Sequence, residues 1–336
     1  MKIVAVSKYL GYEIGGAEIS TREVLKAEFL KGNRIEVGFS ENTQFLGKKL
    51  REAVFPNEWG IIKHRQTVNL NRFQYSEYLI NRKGLIEWAA NIEADELWVN
   101  GIWSPALALG FTGRIKYYIR SESDMGIYNN YRSGFKKIIR FFYGLLERPA
   151  LNIHKSDLRL ALVKSEIIAN SNYVSKRIKD QFKLESIVQY PMIDCDRIRT
   201  NMLTRKVSEK CVVFVGDSPI KGLPIVLDLS NKMPNVNFLI FSRFVRKTRK
   251  LKNVTWMGWE KETGVVLSYA AVVIVPSQCS EAFGRIAREA YLMGIPTLVS
   301  NVGGLPEAVD YKISCIIDDY TNCDIWQSKI KSIVEN

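Results

Sequence analysis

Short apolar runs alternate with longer amphipathic stretches along most of this chain. Lys2–Val6, Ile35–Phe39, Glu96–Asn100, Ile115–Ile119 and Glu166–Ala169 read as buried strands. A helical period fills Ala17–Leu30, with Ile19, Val24, Leu25, Ala27 and Phe29 on one side and Gly32 as its stop. Between Glu41 and Arg82 the pattern is poor, and it resumes with a helix from about Gly84 to Asn91. A second alternating series starts at Cys211–Val215 and continues through Asn237–Phe241, Val254–Met257, Val272–Val275 and Pro296–Val299 as strands. Helices are expected over Glu262–Ala270, from about Gly284 onward, and over Trp326–Val334. Strand, loop and helix in repetition predict an α/β protein built on two parallel sheets.

Composition agrees with that picture: 336 residues, 46% of them hydrophobic and 25% charged, are enough for two globular domains with their own cores. The apolar opening is too short for an export signal. Five scattered cysteines, Cys195, Cys211, Cys279, Cys315 and Cys323, contain no Cys-x-x-Cys pair, which points to a reducing cytoplasm and away from structural zinc. Asp194-Cys195-Asp196 has the form of a metal-binding Asp-x-Asp, but it falls in the expected linker, so no metal is predicted.

Charge is the compositional outlier, at +13. Eight Lys or Arg lie between Arg132 and Lys164 against Glu147 and Asp157, and six lie between Arg243 and Lys252 with no acid. Such clusters suit an anionic partner, whether membrane, nucleic acid or phosphorylated substrate, or else form a solvated face. Tyr131–Leu151 interleaves aromatic and aliphatic residues with Lys136, Lys137, Arg140 and Arg148. It reads either as a helix lying on an anionic membrane or as a core helix with a basic outer side.

The densest chemistry lies in Pro276–Val309. A helix starting after Phe283-Gly284 leaves backbone N–H groups at its positive end for a phosphate, and Gly284 has no side chain to obstruct one. Glu281 and Glu289 are spaced to reach into one cleft, where carboxylates accept hydrogen bonds from sugar hydroxyls. Two glutamates alone are more often surface residues.

With its Pro-Ser, Glu281 and Glu289 separated by seven residues, the enclosed Phe283-Gly284, and Gly303-Gly304-Leu305-Pro306-Glu307 downstream, this stretch resembles the donor signature of GT-B retaining glycosyltransferases of family 4 (group 1). The resemblance implies two doubly wound Rossmann-like domains facing across a cleft. The acceptor would be held by 1–194 and the nucleotide-sugar donor by 195–320, with 321–336 a last helix packing back on the first domain. It implies Glu281 on sugar hydroxyls, Glu289 on ribose, and Lys221 of Lys221-Gly222 on the diphosphate. The Gly15-Gly16 loop of Gly15–Glu18 would also face the ligand.

Two departures from the family pattern stand out. Asp217 occupies the place of an expected arginine, and no histidine lies near the strand end at Arg120–Asp124, the only two being His64 and His154. Glu122 or Asp124 is then the candidate acceptor contact. Losing an anion stabiliser costs ~3–4 kcal/mol, which makes Arg243, at the end of Asn237–Phe241, the candidate replacement cation. Trp259 is expected either to stack on the base or to be buried. The resemblance further implies a UDP- or GDP-sugar donor, a polysaccharide or lipid-linked acceptor, and no cofactor. A GT-B epimerase or phosphorylase is an alternative; a nucleic-acid-binding protein is disfavoured because the paired glutamates would repel a phosphate backbone.

Overall fold

A computed structural model describes residues 1–12, 15–41, 44–45, 48–65, 68–70, 73–126, 135–203 and 211–335. The chain divides into two units, Met1–Met192 and Ile193–Asn336.

The first unit runs β1 (Lys2–Val6), α1 (Gly16–Leu30), β2 (Arg34–Ser40), a small pair β3 (Gln44–Phe45) and β4 (Lys48–Lys49), β5 (Gly60–His64), α2 (Gln74–Ala90), β6 (Glu96–Asn100), α3 (Ser104–Gly110), β7 (Arg114–Ile119), α4 (Phe135–Val163), β8 (Glu166–Ala169), α5 (Asn172–Phe182) and β9 (Ile187–Val188). Its main sheet is parallel, in the order β5-β2-β1-β6-β7-β8-β9. Helices cover both faces of such a sheet, which is why β1 and β6 read as near-continuous apolar runs rather than alternating ones.

Helix α2 begins ten residues before the expected Gly84, because its inward side carries polar groups that mask the period. Glu77 and Asn81 are buried on it, Glu77 pairing with the buried Lys8 and Asn81 donating to the Val68 and Glu77 carbonyls.

The second unit runs α6 (Cys195–Leu203), β10 (Cys211–Val215), α7 (Leu223–Lys232), β11 (Phe238–Phe241), β12 (Arg249–Leu251), β13 (Val254–Met257), α8 (Thr263–Ser268), β14 (Ala270–Val275), α9 (Arg285–Leu292), β15 (Thr297–Ser300), α10 (Leu305–Ala308), β16 (Ile316–Ile317) and α11 (Cys323–Val334). Its sheet order is β12-β13-β11-β10-β14-β15-β16, parallel except for the edge strand β12. The two-residue period divides β10 between two cores. Cys211 and Val213 join a layer with Ile198, Val266 and Ala287, while Val212 and Phe214 join one with Val226, Leu229 and Trp326.

One expectation is corrected. The segment after Asp194 is a helix and not an open linker: Ile198 of α6 is buried in the core, and Arg197 forms a two-pronged pair with Glu262 at 2.9 and 3.0 Å. The last helix places its buried Trp326 and Ile330 in the second unit's own core.

Candidate functional site

In both sheets the strand order reverses at a switch point, between β1 and β6 in the first and between β10 and β14 in the second. Ligands of open α/β sheets bind beyond the carboxyl ends of the strands at that point. The loops after β10 and β14 are the two that carry Lys221 and Glu281.

These loops are locked together by backbone. Gln278 N–H donates to Ile220 O at 2.8 Å. Gly222 has φ +90°, and a Cβ there would lie 1.9 Å from Pro276 O, so only glycine fits. The lock brings Lys221 Nζ to 2.6 Å from Glu281 Oε1, and Ser277 Oγ–H donates to the same oxygen at 2.6 Å. Glu281 is held from its other side as well: Gly304 N–H donates to Glu281 O at 2.7 Å, and a Cβ on Gly303 would meet that oxygen at 2.2 Å. Glycine 303 is thus required by the close approach of the Glu281 backbone. The Pro-Ser of the sequence pattern marked Ser277, but its role on Glu281 emerges only when the strand end is seen to turn back.

Helix α9 begins where predicted, with Gly284 as its N-cap at φ +94°. The room expected on the side-chain face of Gly284 is filled, because a Cβ there would lie 2.3 Å from Leu305 Cδ2. Phe283 is buried in the core behind it. Glu289 does not share partners with Glu281: it is 4% exposed, and Arg285 Nε donates to its Oε1 at 2.6 Å. Burial pushes the Glu289 carboxyl above its ordinary range, with Arg285, Thr263 and Arg197 opposing the shift.

Asp217 accepts from the Arg243 backbone N–H at 3.3 Å and from Ser242 Oγ at 3.5 Å. The Arg243 guanidinium lies over the Trp259 ring, 4.2 Å from its centroid. Trp259 is 49% exposed, which decides against its burial.

In the first unit, Gly15 is the extended N-cap of α1 and Gly16 its first residue. The Glu18 carboxylate folds back so closely that a Gly15 Cβ would lie 2.9 Å from its Oε2. Arg120, at the end of β7, donates to Ala17 O at 2.6 Å and to the Thr21 hydroxyl, tying β7 to α1. Its backbone N–H donates to Asp124 Oδ2 at 2.9 Å. Burial raises the carboxyls of Glu18 and Asp124, against the opposing pull of Arg120. Glu122 turns elsewhere, accepting from Tyr173 O–H at 2.6 Å with Arg177 Nε at 3.5 Å. Asp124, Glu18 and the Gly15–Gly16 turn therefore form one group and Glu122 another. The structural part of Arg120 was not read from the sequence, where it appeared only as the residue after a strand.

Residues 209–336 match the family model described as Glycosyl transferases group 1. The second domain belongs to glycosyl transferases group 1.

Among curated relatives, D-inositol 3-phosphate glycosyltransferase of Segniliparus rotundus is 31% identical over 147 residues, 38% of this chain and 32% of that protein. The Mycolicibacterium smegmatis protein of the same name is 32% identical over 144 residues, 38% of this chain and 33% of its own length. The aligned stretch thus spans about a third of the curated relatives it matches. Among solved structures, sucrose-phosphate synthase from Thermosynechococcus elongatus superposes with a TM-score of 0.73 at 15% identity, covering 100% of this chain and 90% of that one. HepE of Anabaena, crystallised with UDP and glucose, gives 0.67 at 18% identity with coverage of 100% and 90%. The likeness shows that the group 1 domain lies in a chain of the GT-B fold class, with two Rossmann-like α/β sheets.

Proposed function

We propose that this chain is a retaining glycosyltransferase that moves a sugar from a UDP- or GDP-sugar to a hydroxyl acceptor. The observation that carries the reading is the meeting of Lys221, Ser277 and Glu281 at the switch point of the group 1 domain. Transfer breaks the bond between the anomeric carbon and the diphosphate, so negative charge grows on the leaving phosphate. Lys221 Nζ and the positive end of the α9 helix are the groups that stabilise it. In the empty site Lys221 rests on Glu281; with donor bound, its ammonium turns to the phosphate, and Glu281 is released to accept from sugar hydroxyls. Glu289 holds the ribose, and Arg243 with Trp259 borders the nucleotide. The leaving phosphate takes the acceptor proton on the face it vacates, so neither a protein base nor a metal is required. Asp124 and Glu18 meet the acceptor on the first domain.

The acceptor is assigned to the polysaccharide or lipid-linked class of the bacterial cell surface, reached from the cytoplasmic side. The helix singled out for membrane contact lies partly outside the described residues. In its described part α4 exposes Leu146, Ile153, Leu160 and Val163 near Arg148 and Arg159, which supports contact with an anionic membrane. Among the described residues no helix is long and apolar enough to cross one.

The test is product analysis with UDP- and GDP-sugars in the presence and absence of a cell-envelope acceptor fraction. Acceptor-dependent release of nucleoside diphosphate, with the donor's anomeric configuration kept in the product, is the predicted result. Inversion at that carbon, or sugar interconversion without acceptor, would refute it.

A further inference from the structure

Five of the six cations between Arg243 and Lys252, all but Arg243, lie in or beside the edge strand of the second domain rather than at its switch point. Strand β12 pairs only with β13, antiparallel, with Arg249 opposite Trp256 and Leu251 opposite Val254. All three β12 residues are exposed. Edge strands are often guarded by lysine against pairing with other chains, and that role alone would call for no apolar side chains. Yet Leu251 is 69% exposed and Phe244 64% exposed beside the same cations.

Density of charge sets this edge apart: Arg246, Lys247, Arg249, Lys250 and Lys252 fall within seven residues that contain no acid, whereas lysines such as Lys2, Lys63, Lys179 and Lys232 sit beside Glu36, Glu52, Glu185 and Asp324. Among the described residues Arg246, Lys247, Lys250 and Lys252 have no carboxylate within ion-pair distance. Two guanidiniums are laid on indoles, Arg243 on Trp259 at 4.2 Å and Arg249 on Trp256 at 5.3 Å. Seated over Trp256, the Arg249 guanidinium loses little side-chain freedom on binding a phosphate.

We propose that this edge, Phe244–Lys252 with Trp256, is a docking surface for an anionic phospholipid bilayer. Unpaired cations suit lipid phosphates and carboxylates, and Phe244 and Leu251 supply the apolar insertion that a polyanion in water would not reward. The proposal is independent of the donor chemistry, since vesicle binding is measured without any nucleotide sugar.

The test is sedimentation of the full chain with phosphatidylglycerol-containing vesicles and with phosphatidylcholine vesicles, at low and high salt. Binding to the anionic vesicles only, weakened by salt, is expected. Each cation near such a surface is worth about fivefold in partitioning, so Arg246→Glu, Lys247→Glu and Lys250→Glu together lower it at least ~100-fold. Phe244→Ser with Leu251→Ser lowers it roughly tenfold and leaves the salt dependence in place. All five side chains are exposed, so the variants keep the wild-type melting temperature. Vesicle binding unchanged in the triple variant overturns the proposal, as does binding lost only in Arg148→Glu with Arg159→Glu on α4. Tighter binding to a single-stranded RNA oligonucleotide than to the vesicles overturns it in favour of nucleic acid.

Discussion

Gly222→Ala tests the lock between the two switch-point loops. A Cβ at residue 222 would lie 1.9 Å from Pro276 O, and the opposing atom is backbone, which no rotamer can move. The loops must part by about an ångström or more, at a cost typical of overpacking, roughly 1–3 kcal/mol. A non-glycine residue at φ +90° adds roughly 1–3 kcal/mol of backbone strain. Gly294→Ala is the matched control in the same domain: φ is +72° there, but nothing lies within 4 Å of the added methyl, so it carries the strain without the clash. Scanning calorimetry should therefore show Gly222→Ala melting lower than Gly294→Ala by several degrees, about 2–4 °C per kcal/mol at this size. Parting the loops also lengthens the Gln278–Ile220 and Lys221–Glu281 contacts, now 2.8 and 2.6 Å. Donor affinity should then fall about tenfold in Gly222→Ala and stay unchanged in Gly294→Ala. Equal melting temperatures and equal donor affinities in the two variants would refute the close approach and the part assigned to it.

Lys221→Met removes the cation proposed for the phosphate from a half-exposed position, so titration calorimetry should show donor affinity lower by about 10–100-fold with a near-native melting temperature. Arg243→Ala should weaken donor binding about fivefold if its guanidinium supplies the charge that Asp217 does not; unchanged affinity would remove Arg243 from the donor site. The Glu289 carboxyl, raised by burial above its ordinary 4.5, contributes stability that is full below that pH and is lost as pH rises through the raised value. Glu289→Gln should flatten that decline in the melting temperature just above pH 4.5, and a decline of the same steepness in the variant would place the titrating group elsewhere.

Strands were legible wherever burial on both faces made the apolar run continuous, as in β1, which was read to the residue, and in β10. Helix α9 was legible from Gly284, whose positive φ stops the preceding loop and starts the helix. What escaped was structure whose inward face is polar: α2, with its buried Glu77 and Asn81, and α6, short and charged, with Ile198 as its single buried residue. The site was legible as a set of residue types and not as a set of pairs. Glu281 and Glu289 are eight positions apart in sequence, yet one faces Lys221 across a loop junction while the other is buried on Arg285. Gly303 and Gly304 entered only as part of the family pattern; the structure shows Gly303 making room for the Glu281 backbone. Such long-range approaches leave only a glycine in the sequence, and a glycine does not name its neighbour.

The group 1 domain is proposed to take a nucleotide-diphosphate sugar at Lys221 and Glu281. Titration calorimetry of the full chain with UDP-, GDP-, ADP- and dTDP-sugars tests it most directly. Saturable binding of one nucleotide family, weakened in Lys221→Met, is the predicted result; a wild-type protein that unfolds cooperatively yet binds none of the four, or a Lys221→Met variant that binds as tightly as wild type, would contradict it.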